Sequence, residues 1–193
     1  VVAAVASQPA SSLRITRTGY DSAGRVAWLM DANGATESFE YDAVGNRIRY
    51  TNKLGHVWTY AYDAAGRLVE ETSPTVTVAT TTAAGVVSTS TRTLKTVIAY
   101  DALGNVVSRT EDAAGAQPRI TQYQYDNRGN QIRTIFPDAW RINPATGQLE
   151  ATGTVSTIEV TYNTLNQAVV QKDVNGNYSY KVYDTMGRVT HEV

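Results

Sequence analysis

The chain has 193 residues, room for one domain or one elongated array of small units. Its 17 basic and 18 acidic residues leave a net charge of -1, without the basic footprint that nucleic acid or an anionic lipid surface requires. Cysteine is absent, histidine occurs twice, and no apolar run approaches the ~18 residues of a membrane-spanning helix, so disulfides, thiolate chemistry and most histidine-based sites are excluded.

Thr, Val, Tyr and Ile together make up about a third of the chain, whereas Leu is scarce. Branched and aromatic side chains suit pleated, half-buried strands, whereas helices want Leu-rich stripes at i, i+3, i+4 and i+7, and none runs here. An all-β fold is expected. Residues 1–19 read as an N-terminal extension or partial repeat. Val1 to Ala6 leads into an Ala-Val-Ala-Ser pattern faintly like a signal-peptidase site, but the charged n-region and a full apolar stretch are missing, and a frayed terminal strand is the plainer expectation.

From residue 20 onward a hexapeptide Tyr-Asp-x-x-Gly-[Arg/Asn] recurs. Its copies place Tyr20, Asp21 and Gly24 together, then Tyr41, Asp42 and Gly45, then Tyr62, Asp63 and Gly66. After a gap come Tyr100, Asp101 and Gly104, then Tyr125, Asp126 and Gly129, a degenerate copy Tyr162-Asn163-Thr164-Leu165-Asn166-Gln167, and finally Tyr183, Asp184 and Gly187. The steps from Tyr20 to Tyr41, from Tyr41 to Tyr62 and from Tyr162 to Tyr183 are equal and define the repeat unit. The step from Tyr100 to Tyr125 is slightly longer, and the two longest contain insertions near 72–96 and 136–154. A second Asp/Asn-x-x-Gly quartet sits midway, at Asp31–Gly34, Asn52–Gly55, Asp112–Gly115 and Asp173–Gly176. Nine of the ten aspartates open such a quartet and ten of the fourteen glycines close one, which points to a backbone role for both.

An Asp or Asn at the first position of a type I turn accepts hydrogen bonds from the backbone two residues on, and a glycine at the fourth position takes a left-handed conformation without a Cβ penalty. In the first units the quartets alternate at half-unit steps, from Asp21 to Asp31, Asp42, Asn52 and Asp63. Reversals so spaced leave strands of ordinary length, and the product is an antiparallel meander in which each unit is one hairpin. Period-two alternation puts Trp58, Tyr60 and Tyr62 on one face, as it does Glu37, Phe39 and Tyr41. The motif tyrosines, one per hairpin, are expected to form a packing ladder, with Arg25, Arg67 and Arg188 stacking on the next ring. The Thr/Val-rich stretch 72–96 reads as two longer strands reversing at Ala83-Ala84-Gly85, and 136–154, with its two Pro-containing turns around Trp140, as the place for a partner-binding loop.

These residues resemble the Rhs or YD-repeat family, which includes bacterial polymorphic toxins, the BC components of insecticidal toxin complexes and, more distantly, teneurins. The resemblance runs from Tyr20 to Val193. It implies a curved or spiralling β-hairpin ribbon over 20–193, about seven units long, that helps wall off a toxic polypeptide cargo. It also implies a secreted or cell-surface bacterial setting, reached through a secretion system. The partners implied are the remainder of the parent shell or further copies of the chain, and a cargo polypeptide. The family's shell-closing Asp-Pro-x-Gly-Leu segment and its self-cleavage aspartates have no counterpart here, so the chain reads as ribbon only, a segment of a longer protein.

No constellation for catalysis emerges. Asp31 and Asp42 are explained by turn capping, Glu70 and Glu71 alternate to opposite faces, and neither a Gly-x-Ser-x-Gly elbow nor a phosphate-cradling loop occurs. Asp31–Gly34 and Asp173–Gly176 look like the start of a calcium loop but lack its dedicated acidic residue at the twelfth position. The expectation is a scaffold with no enzyme activity, no cofactor and no metal. Two alternatives are a surface module binding glycans or a protein partner, and a self-assembling β-ribbon fibre, since unpaired edge strands template further strands. A single-layer ribbon also leaves an apolar face that something must cover.

Overall fold

A computed structural model describes residues 14–81, 86–115 and 117–193. The frayed strand expected at Val1 to Ala6 and the reversal expected at Ala83-Ala84-Gly85 lie outside those residues. The chain divides into two compact units at the 76/77 boundary. The first holds β1 (Arg17–Tyr20), β2 (Val26–Met30), β3 (Thr36–Tyr41), β4 (Arg47–Thr51), β5 (Val57–Tyr62) and the start of β6 (Leu68–Thr81). The second holds the rest of β6, then β7 (Val87–Tyr100), β8 (Val106–Glu111), β9 (Arg119–Tyr125) and β10 (Gln131–Ile135), followed by β11 (Trp140–Ile142), β12 (Leu149–Ala151), β13 (Thr157–Tyr162), β14 (Ala168–Lys172), β15 (Tyr178–Tyr183) and β16 (Val189–Glu192).

Sequential strands pair throughout, in the order β1 to β10 and then β13 to β16, while β11 and β12 form a separate two-stranded sheet. Among the described residues the pairings are antiparallel, β1 and β16 each have one neighbour, and no helix occurs. The all-β meander is therefore the fold. The insertion at 72–96 forms the extensions of β6 and β7, as its Thr/Val alternation predicts. The insertion at 136–154 projects as a hairpin of its own, leaving β10 paired with β13.

No described side chain is buried, because one layer of short strands has no second layer to close against. Packing is lateral instead. Phe39, Tyr50 and Trp58 stand opposite one another on three adjacent strands, with ring centroids 5.4 and 5.3 Å apart. Tyr60 continues this face on β5, and Arg47 lies 5.0 Å from its ring centroid. The opposite face of the same strands carries Ser38, Glu40, Arg49, Thr51 and Thr59, with Glu40 and Arg49 ion-paired at 3.4 Å. On that face Trp28 lies across Gly19, where an added Cβ would stand 2.1 Å from the indole. Gly19 closes no turn. A ring is laid over it because it has no side chain.

One local feature departs from simple alternation. Every motif tyrosine pairs with the residue two after the turn glycine (two after Asn166 in the degenerate copy), and the next pair skips one residue on the second strand. The skipped residues, among them Ile48, Val69, Ile132 and Val169, are β-bulges that follow each motif turn. The midway turns at Asp31, Asn52 and Asp173 carry no such shift.

The repeat joint as candidate functional site

Each motif turn is fastened by its first residue. In Asp42 one carboxylate oxygen, Oδ1, accepts the N–H of Val44 at 3.1 Å and that of Asn46 at 2.8 Å, while Oδ2 accepts Asn46 Nδ2 at 2.9 Å. Asp101 and Asp126 repeat this with Asn105 and Asn130. Asp21, Asp63 and Asp184 take Nε of Arg25, Arg67 and Arg188 instead, at 2.7, 2.7 and 2.8 Å. This explains why Arg or Asn follows the glycine: both reach back four residues with a side-chain N–H. The glycines Gly24, Gly45, Gly66, Gly104, Gly129 and Gly187 have φ between 75° and 99°, the left-handed region. Asn166 occupies that region with φ 60°, a conformation Asn tolerates better than most residues.

These contacts hold the carboxylates below their ordinary range. For Asp21, Asp63 and Asp184 the leading cause is the backbone N–H of the arginine four residues on. The side-chain amide of the following Asn leads for Asp101, Asp126 and Asp173, and the Lys53 ammonium at 2.9 Å leads for Asp31. At Asp42 desolvation pushes upward but the Asn46 and Val44 hydrogen bonds outweigh it. In Asp42, as in Asp21, the turn itself takes three of the roughly four acceptor sites of the carboxylate. The calcium-like turns share the pattern: both oxygens of Asp31 and Asp173 already accept N–H groups. Among the described residues no three His, Asp or Glu side chains gather as a cation site.

The tyrosines Tyr20, Tyr41, Tyr62, Tyr100, Tyr125, Tyr162 and Tyr183 close β1, β3, β5, β7, β9, β13 and β15. Their ladder is built from hydroxyl groups. Tyr41 donates to the Val26 carbonyl at 3.0 Å, Tyr62 to Arg47 at 3.0 Å, Tyr125 to Val106 at 2.9 Å, Tyr162 to Gln131 at 3.2 Å and Tyr183 to Ala168 at 2.8 Å. Each acceptor lies two residues after the preceding unit's turn, where the bulge turns the strand away and the next strand's ladder has already stopped. The phenol thus satisfies a carbonyl that the bulge takes out of the ladder. The ring pairs among the described residues, Phe39–Tyr50, Tyr50–Trp58 and Tyr178–Tyr180, do not join one motif tyrosine to another. Of the expected arginine stacking, Arg25 lies 4.7 Å from the Tyr41 ring centroid and also donates from Nη1 to the Asp42 carbonyl at 2.9 Å.

Two places break the pattern. At Asp112–Gly115 the left-handed residue is Asp112, with φ 53°, and not Gly115; the carboxylate is gripped by both terminal nitrogens of Arg92. Asp138, which opens no quartet, ties the base of the inserted hairpin through Thr152 Oγ1 and the N–H groups of Gly153 and Thr154 at 3.0, 3.0 and 3.1 Å. Within that hairpin Trp140 and Ile142 are 42% and 50% exposed.

The RHS Repeat family model matches residues 20–55, 41–75 and 100–139. Solved structures with a similar fold include one titled TcdB2-TccC3-Cdc42 (TM-score 0.50, 14% identity) and the Photorhabdus luminescens Tc holotoxin pore (0.53, 17%). A third, TcdB2-TccC3-TEV, has TM-score 0.54 and 16% identity. Each likeness covers 93% of this chain and 10 or 11% of the other, so the chain spans about a tenth of the length of the chains it matches. No curated protein matches it. The matched stretches contain the repeated turn, the bulge and the phenol rung, and the chain is a member of the RHS-repeat family.

Proposed function

We propose that this chain is a structural stretch of an RHS-repeat shell wall that encapsulates or presents a toxin or other polypeptide cargo, without turnover of its own. The observation that carries the reading is the use of the polar groups. Asp21, Asp42, Asp63, Asp101, Asp126 and Asp184 place both carboxylate oxygens inside their own turns. Five motif tyrosines point their hydroxyls at backbone. The chemistry of the repeat is directed at holding strands together.

The two faces of the first unit differ in the way a wall requires. One presents the row Phe39, Tyr50, Trp58 and Tyr60 together with Glu37; the other presents Ser38, Glu40, Arg49 and Thr59 together with Trp28. A partner surface belongs against the aromatic face and solvent against the other. The likeness to toxin-complex chains supports the same setting, outside the producing cell, and no helix of the described residues is long and apolar enough to cross a membrane.

The test is thiol labelling of single cysteines at Ser38 and at Phe39 in the intact native protein. Slow labelling at Phe39→Cys and fast labelling at Ser38→Cys, equalised by denaturant, is expected. Equal rates at both positions in the folded protein overturn the wall reading.

A further inference from the structure

The residue after the turn glycine gives the repeat joint two forms. In the arginine form a guanidinium bridges to the next unit. Arg25 donates from Nε to Asp21 Oδ2 at 2.7 Å and from Nη1 to the Asp42 carbonyl at 2.9 Å, with its central carbon 4.7 Å from the Tyr41 ring centroid. The Asp42 carbonyl also accepts the Gly45 N–H at 3.2 Å, so both its lone pairs are used. A ring face, a carbonyl lone pair and a turn carboxylate close by make a seat for a planar cation.

The joint between the turns at Asp101 and Asp126 has the seat without its cation. Asn105 stands in the place of Arg25; its Nδ2 donates to Asp101 Oδ2 at 2.9 Å, and the shorter side chain ends there. Beside it lies an open cavity of about 500 Å³. Asn105, Tyr125 and Asp126, which hold the places of Arg25, Tyr41 and Asp42, line it together with Asp101, Leu103 and Tyr123. The Tyr125 ring is fixed as Tyr41 is, its hydroxyl on the Val106 carbonyl at 2.9 Å. The Asp126 carbonyl accepts the Gly129 N–H at 3.1 Å and, among the described residues, no side chain. Arg128, in the same turn, reaches to the turn beyond and donates from Nη1 to the Thr164 carbonyl at 3.1 Å.

We propose that this cavity seats an arginine side chain of a second polypeptide packed on the turn edge of the sheet. The incoming guanidinium takes the place that Arg25 holds in the first joint, over the Tyr125 ring and with one N–H donated to the Asp126 carbonyl. The chain's own Arg25 is the template for the ligand. The carboxylates of Asp101 and Asp126 favour a cation there, and a planar guanidinium fits a ring face with a carbonyl at its rim better than the point charge of a lysine does. The proposal rests on the likeness of two joints and not on the wall reading, which the labelling contrast between Ser38→Cys and Phe39→Cys tests separately.

The test is an NMR titration of the full chain with N-acetyl-arginine amide, and with N-acetyl-lysine amide as the control. The arginine probe should shift the Tyr125 and Gly129 signals saturably and bind about two- to fivefold tighter than the lysine probe, the factor that one exposed cation–π contact makes. Asn105→Arg fills the seat from within, with the residue that Arg25 already places in the first joint, and should abolish those shifts. Arg25→Asn empties the first seat and should create a matching response at Tyr41, which reads the same geometry even where Asn105→Arg fails to fold. Both variants are checked for unchanged β-sheet circular dichroism. No saturable shift at Tyr125, equal affinity for the two probes, shifts that survive in a folded Asn105→Arg chain, or a folded Arg25→Asn chain silent at Tyr41 overturns the proposal. Free arginine binding tighter than the capped probe overturns the assignment to a polypeptide.

Discussion

The joint between β4 and β5 and the inserted hairpin of β11 and β12 are both antiparallel pairs closed by an Asn that caps its own turn. Asn52 Oδ1 accepts the N–H groups of Leu54 and His56; Asn143 Oδ1 accepts those of Ala145 and Thr146. Beyond the turn they part. The β4·β5 pair is tied sideways by the Tyr62 hydroxyl on the Arg47 carbonyl and by the Phe39–Tyr50–Trp58 row. The inserted hairpin is held through its own Arg141–Glu150–Asn143 cluster and by Asp138 at its base. A turn makes a hairpin in either case, but only the lateral ties make a hairpin part of a cooperative sheet.

Acid should separate the two regions most strongly. The turn aspartates of the regular units have folded pKa values below the ordinary 3.8, so their stabilisation is complete above that value and is lost as pH falls through the folded values. Melting followed by circular dichroism should hold steady down to about pH 5 and fall steeply below about pH 4. Asp42→Asn, which keeps the Oδ1 acceptor as Asn52 does, should make that acid limb shallower; an unchanged limb would remove the turn carboxylates as its cause.

Next in size is a matched pair of glycine substitutions. Gly66 and Gly147 have φ 75° and 65°, so valine at either imposes a left-handed strain of about 1–2 kcal/mol. Gly66→Val should lower the melting temperature of the sheet, whereas Gly147→Val should speed amide exchange in the inserted hairpin and leave the main transition in place. Equal losses of melting temperature would break the distinction between the two regions.

Removing one rung should cost less. Tyr41→Phe takes away the hydrogen bond to the Val26 carbonyl, about 1 kcal/mol in a urea titration. The smallest effect is expected at Asn166→Gly, which relieves a non-glycine residue at φ 60° and should stabilise by a few tenths of a kcal/mol, roughly the margin between Asn and Gly in the left-handed region.

The turns were legible in the sequence because their chemistry is local. Asp42 fastens Val44 and Asn46, two and four residues on, and spacing alone exposes such a pattern. The shared faces of Glu37, Phe39 and Tyr41 and of Trp58, Tyr60 and Tyr62 were legible for the same reason, since alternation survives wherever no bulge intervenes. The Gly19–Trp28 contact was not legible: the indole that lies over Gly19 comes from the neighbouring strand, and spacing along the chain does not name it. Asp112 looked like every other quartet aspartate, and only Arg92, twenty residues back on a neighbouring part of the chain, turned it to an ion pair.

By itself, then, the order of amino acids decided where the chain reverses, how long its strands are and that its aspartates and glycines serve the backbone. Tertiary structure decided what the tyrosines do. Their hydroxyls meet carbonyls 15 to 31 residues away, and whether they reach them depends on a one-residue bulge that shifts the register after each turn. A bulge leaves no mark in hydrophobic alternation that a strand end would not also leave, because the added residue changes which backbone groups face each other before it changes which side chains are apolar.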